Sequence, residues 1–252
     1  MRSYTLTLLL VPTLILSACN NANVQPETGY EPSKLASVNV QLGIAYMKQG
    51  ENKVALKKLK HAVELDSSYP MAHNMLGVLY ERLGEYDKAD NEYRRSVSLA
   101  PRNPQILNNY GQFLCQRGHP KEAEKQFLNA VANPLYTTPE IAYTNAGTCI
   151  DQSGDTAQAE DYYRKALQSN PRMPTALLRM TRISYDQKKF LSARGYLQRY
   201  LEVAPQTPES LWLGIRIERQ LGDHDTEASY ALLLRSKYPE SRQAKMLEEE
   251  AP

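Results

Sequence analysis

Three patterns of hydrophobic and polar residues follow one another along the chain. Residues 6–16 form an apolar run broken only by Thr7, Pro12 and Thr13, with Arg2 ahead of it. Residues 20–34 are rich in Asn, Gln and Glu, contain Pro26, Gly29 and Pro32, and carry few apolar side chains. From Leu35 onward the pattern repeats itself. Gly43, Gly77 and Gly111 are 34 apart, Gly147 follows after 36, and Thr181 and Ile215 keep the phase. A second ladder runs through Gly50, Gly84, Gly118, Gly154, Lys188 and Gly222, and a third through Ala55, Ala89, Ala123, Ala159 and Ala193. Pro101, Pro171, Pro205 and Pro239 form a fourth.

A 34-residue period with these residue types resembles the tetratricopeptide repeat, in which each unit is a pair of antiparallel helices. The resemblance implies an all-α, right-handed solenoid. Each ladder then has a physical role. The first glycine marks a close approach of two helices, and the second ends the first helix in a left-handed turn. The alanine lets the second helix pack down on the first. Leu59, Tyr93, Phe127, Tyr163 and Leu197, four residues further on, fill the gap, and proline forces the turn into the next unit. Six repeats are expected at 36–69, 70–103, 104–137, 140–173, 174–207 and 208–241, with the extra residues absorbed near 134–139. The last repeat matches least well. Ile215 and Glu218 stand at its glycine and tyrosine positions, and the stretch from Gly222 to Ala228 reads as one residue too long. Residues 242–252 are expected to be a C-terminal tail, frayed at Glu248-Glu249-Glu250.

The N-terminal run is too short for a membrane span: eleven residues fall well below the roughly twenty that a ~30 Å hydrocarbon core requires. Residues 1–18 read instead as a signal peptide. Its end, Leu16-Ser17-Ala18-Cys19, resembles a lipobox, which implies that Cys19 becomes the mature N-terminus and carries acyl chains; the alternative is an ordinary secretory signal. Such chains bind a bilayer through ~0.8 kcal/mol per buried methylene. By resemblance to Gram-negative lipoproteins, Asn20 after the cysteine favours the outer membrane, with the protein facing the periplasm. Residues 19–35 are expected to be a tether, long enough to reach about 50 Å when extended.

Charge and chemistry narrow the function. Thirty Lys and Arg against 28 Asp and Glu point to no nucleic-acid partner. The four histidines lack metal-ligand spacing, no phosphate loop or nucleophile elbow occurs, and the glycines are accounted for by helix geometry. Hence no enzyme, metal or cofactor is expected. His73 stands where the repeat usually holds a tryptophan, so a packed core role is expected for it. An exported protein carrying Cys115 and Cys149 on neighbouring first helices favours a disulfide between them; two packed free thiols are the alternative.

The groove of such a solenoid is lined by the second, fifth, ninth and twelfth positions of each repeat. Val40, Ile44, Met47, Met71 and Val78 make its first part apolar, Gln105, Asn108 and Gln112 make its middle amide-rich, and Arg182, Tyr185, Trp212 and Arg216 make its far end basic and aromatic. The five apolar residues are the expected contact patch for an amphipathic helix or extended apolar peptide; alternatively the tether covers them or they pack the terminal repeat. The Lys, Asn and Arg clamp that grips chaperone C-termini is absent. With the lipobox, the short tether, six repeats and mid-chain cysteines, the stretches Ala72-His73-Asn74-Met75-Leu76-Gly77-Val78-Leu79-Tyr80 and Asn108-Asn109-Tyr110-Gly111-Gln112-Phe113-Leu114-Cys115 resemble the PilF/PilW lipoproteins of type IV pilus biogenesis. The resemblance implies a pilotin that binds pilus secretin subunits and promotes their outer-membrane localisation and multimerisation. Competing roles are a scaffold for peptidoglycan machinery or for polysaccharide export. No self-complementary patch is evident in the groove, so a monomer is expected.

Overall fold

The computed structural model describes residues 32–250; the signal segment, Cys19 and residues 20–31 lie outside the described residues. Thirteen helices follow one another in this span. Six antiparallel pairs match the six expected repeats: α1 (Pro32–Lys48) with α2 (Asn52–Leu65), α3 (Pro70–Arg82) with α4 (Tyr86–Leu99), and α5 (Pro104–Gln116) with α6 (Pro120–Val131). They continue with α7 (Pro139–Gln152) and α8 (Thr156–Ser169), α9 (Pro174–Asp186) and α10 (Phe190–Leu201), and α11 (Pro208–Leu221) and α12 (His224–Lys237). A last helix, α13 (Arg242–Glu249), closes the stack.

The ladders do the work expected of them. A Cβ added at Gly111 would come within 2.6 Å of the Phe127 ring, and one at Gly77 within 2.9 Å of the Tyr93 ring. The glycine in five of the six first helices, α9 being the exception, therefore makes room for the large residue of its own second helix. Tyr93, Phe127 and Tyr163 are fully buried there. Burying a side chain of this size contributes about 1.5–3 kcal/mol, so these rings form the spine of the core. At the helix ends Gly84, Gly118 and Gly222 have φ of 77°, 79° and 76°, and Lys188 takes the same turn at φ 60° without being glycine.

Three expectations at the ends need correction. Helix α1 starts at Pro32, so the last residues assigned to the 19–35 tether are helical; Leu35 and Val38 continue the helical phase of Leu42. Repeat six carries no added residue. Asp223 stands at the N-cap of α12 directly after Gly222, as Glu85 stands at that of α4 after Gly84, and at the alanine position Glu227 accepts from Arg219 at 2.7 Å. The small residue of that repeat is Gly214, which faces Tyr230, while Ile215 is buried core. The C-terminal tail is helical over 242–249, so Glu248 and Glu249 lie in a helix rather than in a frayed end. Ser241 caps α13, and Ala244 and Leu247 are buried against Leu211, Ile215, Ala231 and Leu234. A solenoid end must cover its last apolar face, and α13 does so.

Candidate functional site

The first helices α1, α3, α5 and α7 pack side by side in succession, as do α9 and α11, and their shared face is the candidate groove. Each of these helices from α3 onward begins with proline in its first turn, where the missing N–H removes no helical bond. Asn103 caps α5 through the backbone N–H groups of Gln105 and Ile106, fixing where the α5 side chains point.

The expected contact patch is only partly at the surface. Ile44, Met71 and Val78 are half-buried at the edge of the core, but Val40 and Met47 are core residues, 2% and 7% exposed. The fifth position of each repeat lies in the seam between neighbouring first helices, where Asn74, Asn108 and Thr144 are buried as well. In that seam Asn109 donates its side-chain N–H to Asn74 Oδ1 at 2.7 Å, and Asn145 to Asn108 Oδ1 at 2.9 Å. These amide bonds tie α3 to α5 and α5 to α7. Asn109 and Asn145 belong to the groove although they were not among the expected inward positions. Their recurrence at one phase, 36 residues apart, was the available signal.

A cleft of about 500 Å³ opens between α3, α4 and α5, lined by Met75, Val78, Glu81, Arg82, Tyr86, Tyr93, Asn109, Gln112 and Gln116. Its lining joins an apolar wall to amides and one carboxylate. Burial pushes the Glu81 carboxyl up, opposed by the Tyr93 hydroxyl, which donates to it at 2.8 Å. Such a mixture suits an extended peptide, whose backbone can bond the amides while its side chains meet Val78 and Met75.

His73 is a core residue, as expected. Its Nδ1 lies 2.6 Å from a Glu92 carboxylate oxygen and its Nε2 3.0 Å from the Ser67 carbonyl. Two acceptors require two N–H donors, so the ring is held as imidazolium. Burial opposes that charge, but Glu92 and Ser67 outweigh it and raise the ring's pKa. Cys115, late in α5, and Cys149, late in α7, have Cα atoms 5.7 Å apart and their sulfurs at bonding distance, within the range a disulfide requires. At the far end Tyr185, Trp212 and Arg216 come together, while Arg219 is engaged by Glu227 and Glu250. Among the described residues no three His, Cys, Asp or Glu side chains gather as metal ligands would.

Comparison with known proteins agrees with this architecture. Tetratricopeptide-repeat models match residues 43–84, 70–103, 92–125 and 152–212. The type IV pilus assembly protein PilF of Pseudomonas aeruginosa is 34% identical over 202 residues, spanning 80% of each chain. The solved structure of P. aeruginosa PilF superposes with a TM-score of 0.80 at 33% identity, covering 87% of this chain and 99% of that one. The helical body is thus the extent that this relative presents as a folded chain on its own. The crystal structure of PilW, described as a widely conserved type IV pilus biogenesis factor, gives a TM-score of 0.75 at 29% identity over 85% of this chain and 98% of that one. With 34% identity over 80% of each chain, the chain belongs to the PilF/PilW family of tetratricopeptide-repeat proteins.

Proposed function

We propose that the protein is a pilotin of type IV pilus biogenesis, a non-catalytic lipoprotein that binds secretin subunits and promotes their multimerisation in the outer membrane. The observation that carries this reading is the likeness to PilF and PilW over most of the chain, joined to a cleft whose lining mixes apolar side chains with amides. Ile44, Met71 and Val78 are the apolar contacts available to the partner. Cys19 supplies the anchor, and tethering a binder to one membrane raises the local concentration of its cargo there. A Cys115–Cys149 disulfide clamps α5 to α7 in the middle of the groove and keeps the amide seam in register.

The test is membrane fractionation of cells lacking this chain, with the secretin followed on gels that preserve its multimers. Deletion is expected to leave secretin monomers, and the wild-type gene to restore multimers in the outer membrane. A Cys19→Ala variant is expected to bind secretin without delivering it. Normal outer-membrane multimers in the deletion strain would refute the pilotin role and leave a family member acting elsewhere in the cell envelope.

A further inference from the structure

The α9–α11 end of the groove differs in kind from the cleft at α3–α5. Arg216 lies over the Tyr185 ring at 4.5 Å from its centroid and over Trp212 at 6.0 Å. Tyr185 is itself braced by Phe190, with centroids 5.5 Å apart, and Trp212 is 7% exposed, so both rings are fixed. A guanidinium stacked on rings keeps the N–H groups of its edge free, and that planar fork matches a carboxylate in two parallel hydrogen bonds. Among the described residues neither Arg216 nor Arg179 has an acidic partner, and neither side chain donates a hydrogen bond. The other arginines nearby are committed: Arg182 to Glu209, Arg194 to Glu218 and Asp223, and Arg219 to Glu227 and Glu250.

Position in the repeat places this cluster in the groove. Arg216 and Arg182 stand at the phase of Val78 and Gln112, Arg179 at that of Met75 and Asn109, and Tyr185 at that of Glu81. All of those earlier residues line the α3–α5 cleft. The acids of this region do not cancel the surplus. Glu209 is bound to Arg182, and Asp151, which keeps its charge while accepting from Thr156, makes no ion pair with Arg179 or Arg216. The groove therefore ends in positive charge beside aromatic walls, with Arg216 held on the rings and neither Arg179 nor Arg216 in an ion pair among the described residues.

We propose that this end is a second subsite, which takes the carboxylate side chains of an extended acidic peptide segment. A small anion would need the arginines to converge on one point, whereas here they are spread along α9 and onto α11. Acidic side chains along a strand of peptide meet that spacing, and the open groove lets the strand continue. The subsite stands whether or not the partner at the apolar end is a secretin.

The test uses residues 32–250 and a fluorescently labelled Gly/Ser peptide carrying several Glu residues, compared with the same peptide carrying Gln. Anisotropy is expected to show the Glu peptide bound about tenfold or more tighter, with the difference shrinking as salt is raised. Arg179→Gln with Arg216→Gln should abolish the preference, while Lys53→Gln with Lys57→Gln, exposed on α2, should leave it intact. Arg216→Lys keeps the charge but loses the fork, and should recover only part of the affinity. Equal binding of the two peptides, equal loss in the α2 variant, or full binding by Arg216→Lys would each overturn the proposal. Circular dichroism on every variant separates lost binding from lost fold.

Discussion

Lys188 pays the conformational cost that glycine avoids in the other repeats. Its φ of 60° puts a Cβ in the left-handed region, which costs an L-residue roughly 1–2 kcal/mol. Nothing but the end of α9 demands this turn, since Lys188 N–H bonds the Tyr185 carbonyl at 2.8 Å, as Gly84 N–H bonds Glu81 at 3.0 Å. Lys188→Gly is therefore expected to stabilise the protein by about 1 kcal/mol in denaturant unfolding, less the entropy glycine adds to the unfolded chain. A destabilised variant would mean that the lysine side chain contributes more than the turn costs. His73 gives a second prediction at this scale. Because its pKa is raised in the fold, its stabilisation is fully present below the ordinary value of 6.5 and is lost as pH rises through the folded value. Melting temperature should accordingly fall as pH rises through the range above 6.5, and Glu92→Gln should flatten that fall. A wild-type curve flat over that range would contradict the imidazolium assignment.

At the scale of helices, the ladders of glycine, alanine and proline were legible in the sequence because each reflects a local rule. Gly111 facing Phe127 is a pairing of fixed spacing, 16 residues, and it recurs from Gly43 with Leu59 to Gly147 with Tyr163. What the ladders did not reveal was anything set by contacts between units. Val40 was expected to face the groove and is buried, in a helix that packs against α3 of the next repeat as well as against its own partner α2. Likewise α13 could not be inferred from any ladder. Its buried pair, Ala244 and Leu247, makes sense only against the exposed end of α11 and α12. Leu247→Ala is expected to cost about 2 kcal/mol, the low end for a buried leucine because a terminal helix can relax. Calorimetry checks this; an unchanged melting temperature would show that α13 does not cap the solenoid.

For the whole molecule, the fold was recoverable from sequence and the site only in outline. Periodicity fixes where each helix faces its own partner, but the groove is made by the offsets between repeats. Hence Asn109 and Asn145 entered the groove unforeseen, while Ile44, Met71 and Val78 remained accessible at the edge of the core. The Cys115–Cys149 pair joins two repeats whose positions are tied also by the asparagine seam. Cross-linking 34 residues of chain is expected to contribute about 4 kcal/mol. Reduction should lower the melting temperature of the wild type and leave Cys115→Ala/Cys149→Ala unchanged; alkylation of both thiols in the unreduced native protein would show that no bond forms.

The groove's role as a protein-binding surface is tested most directly by titrating purified residues 32–250 with a purified type IV pilus secretin subunit in a calorimeter. Saturable binding by the wild type, weakened about tenfold or more by Ile44→Asp with Val78→Asp in a variant of unchanged helicity, is the expected result. No binding by the wild type, or equal binding by the two proteins, would contradict it.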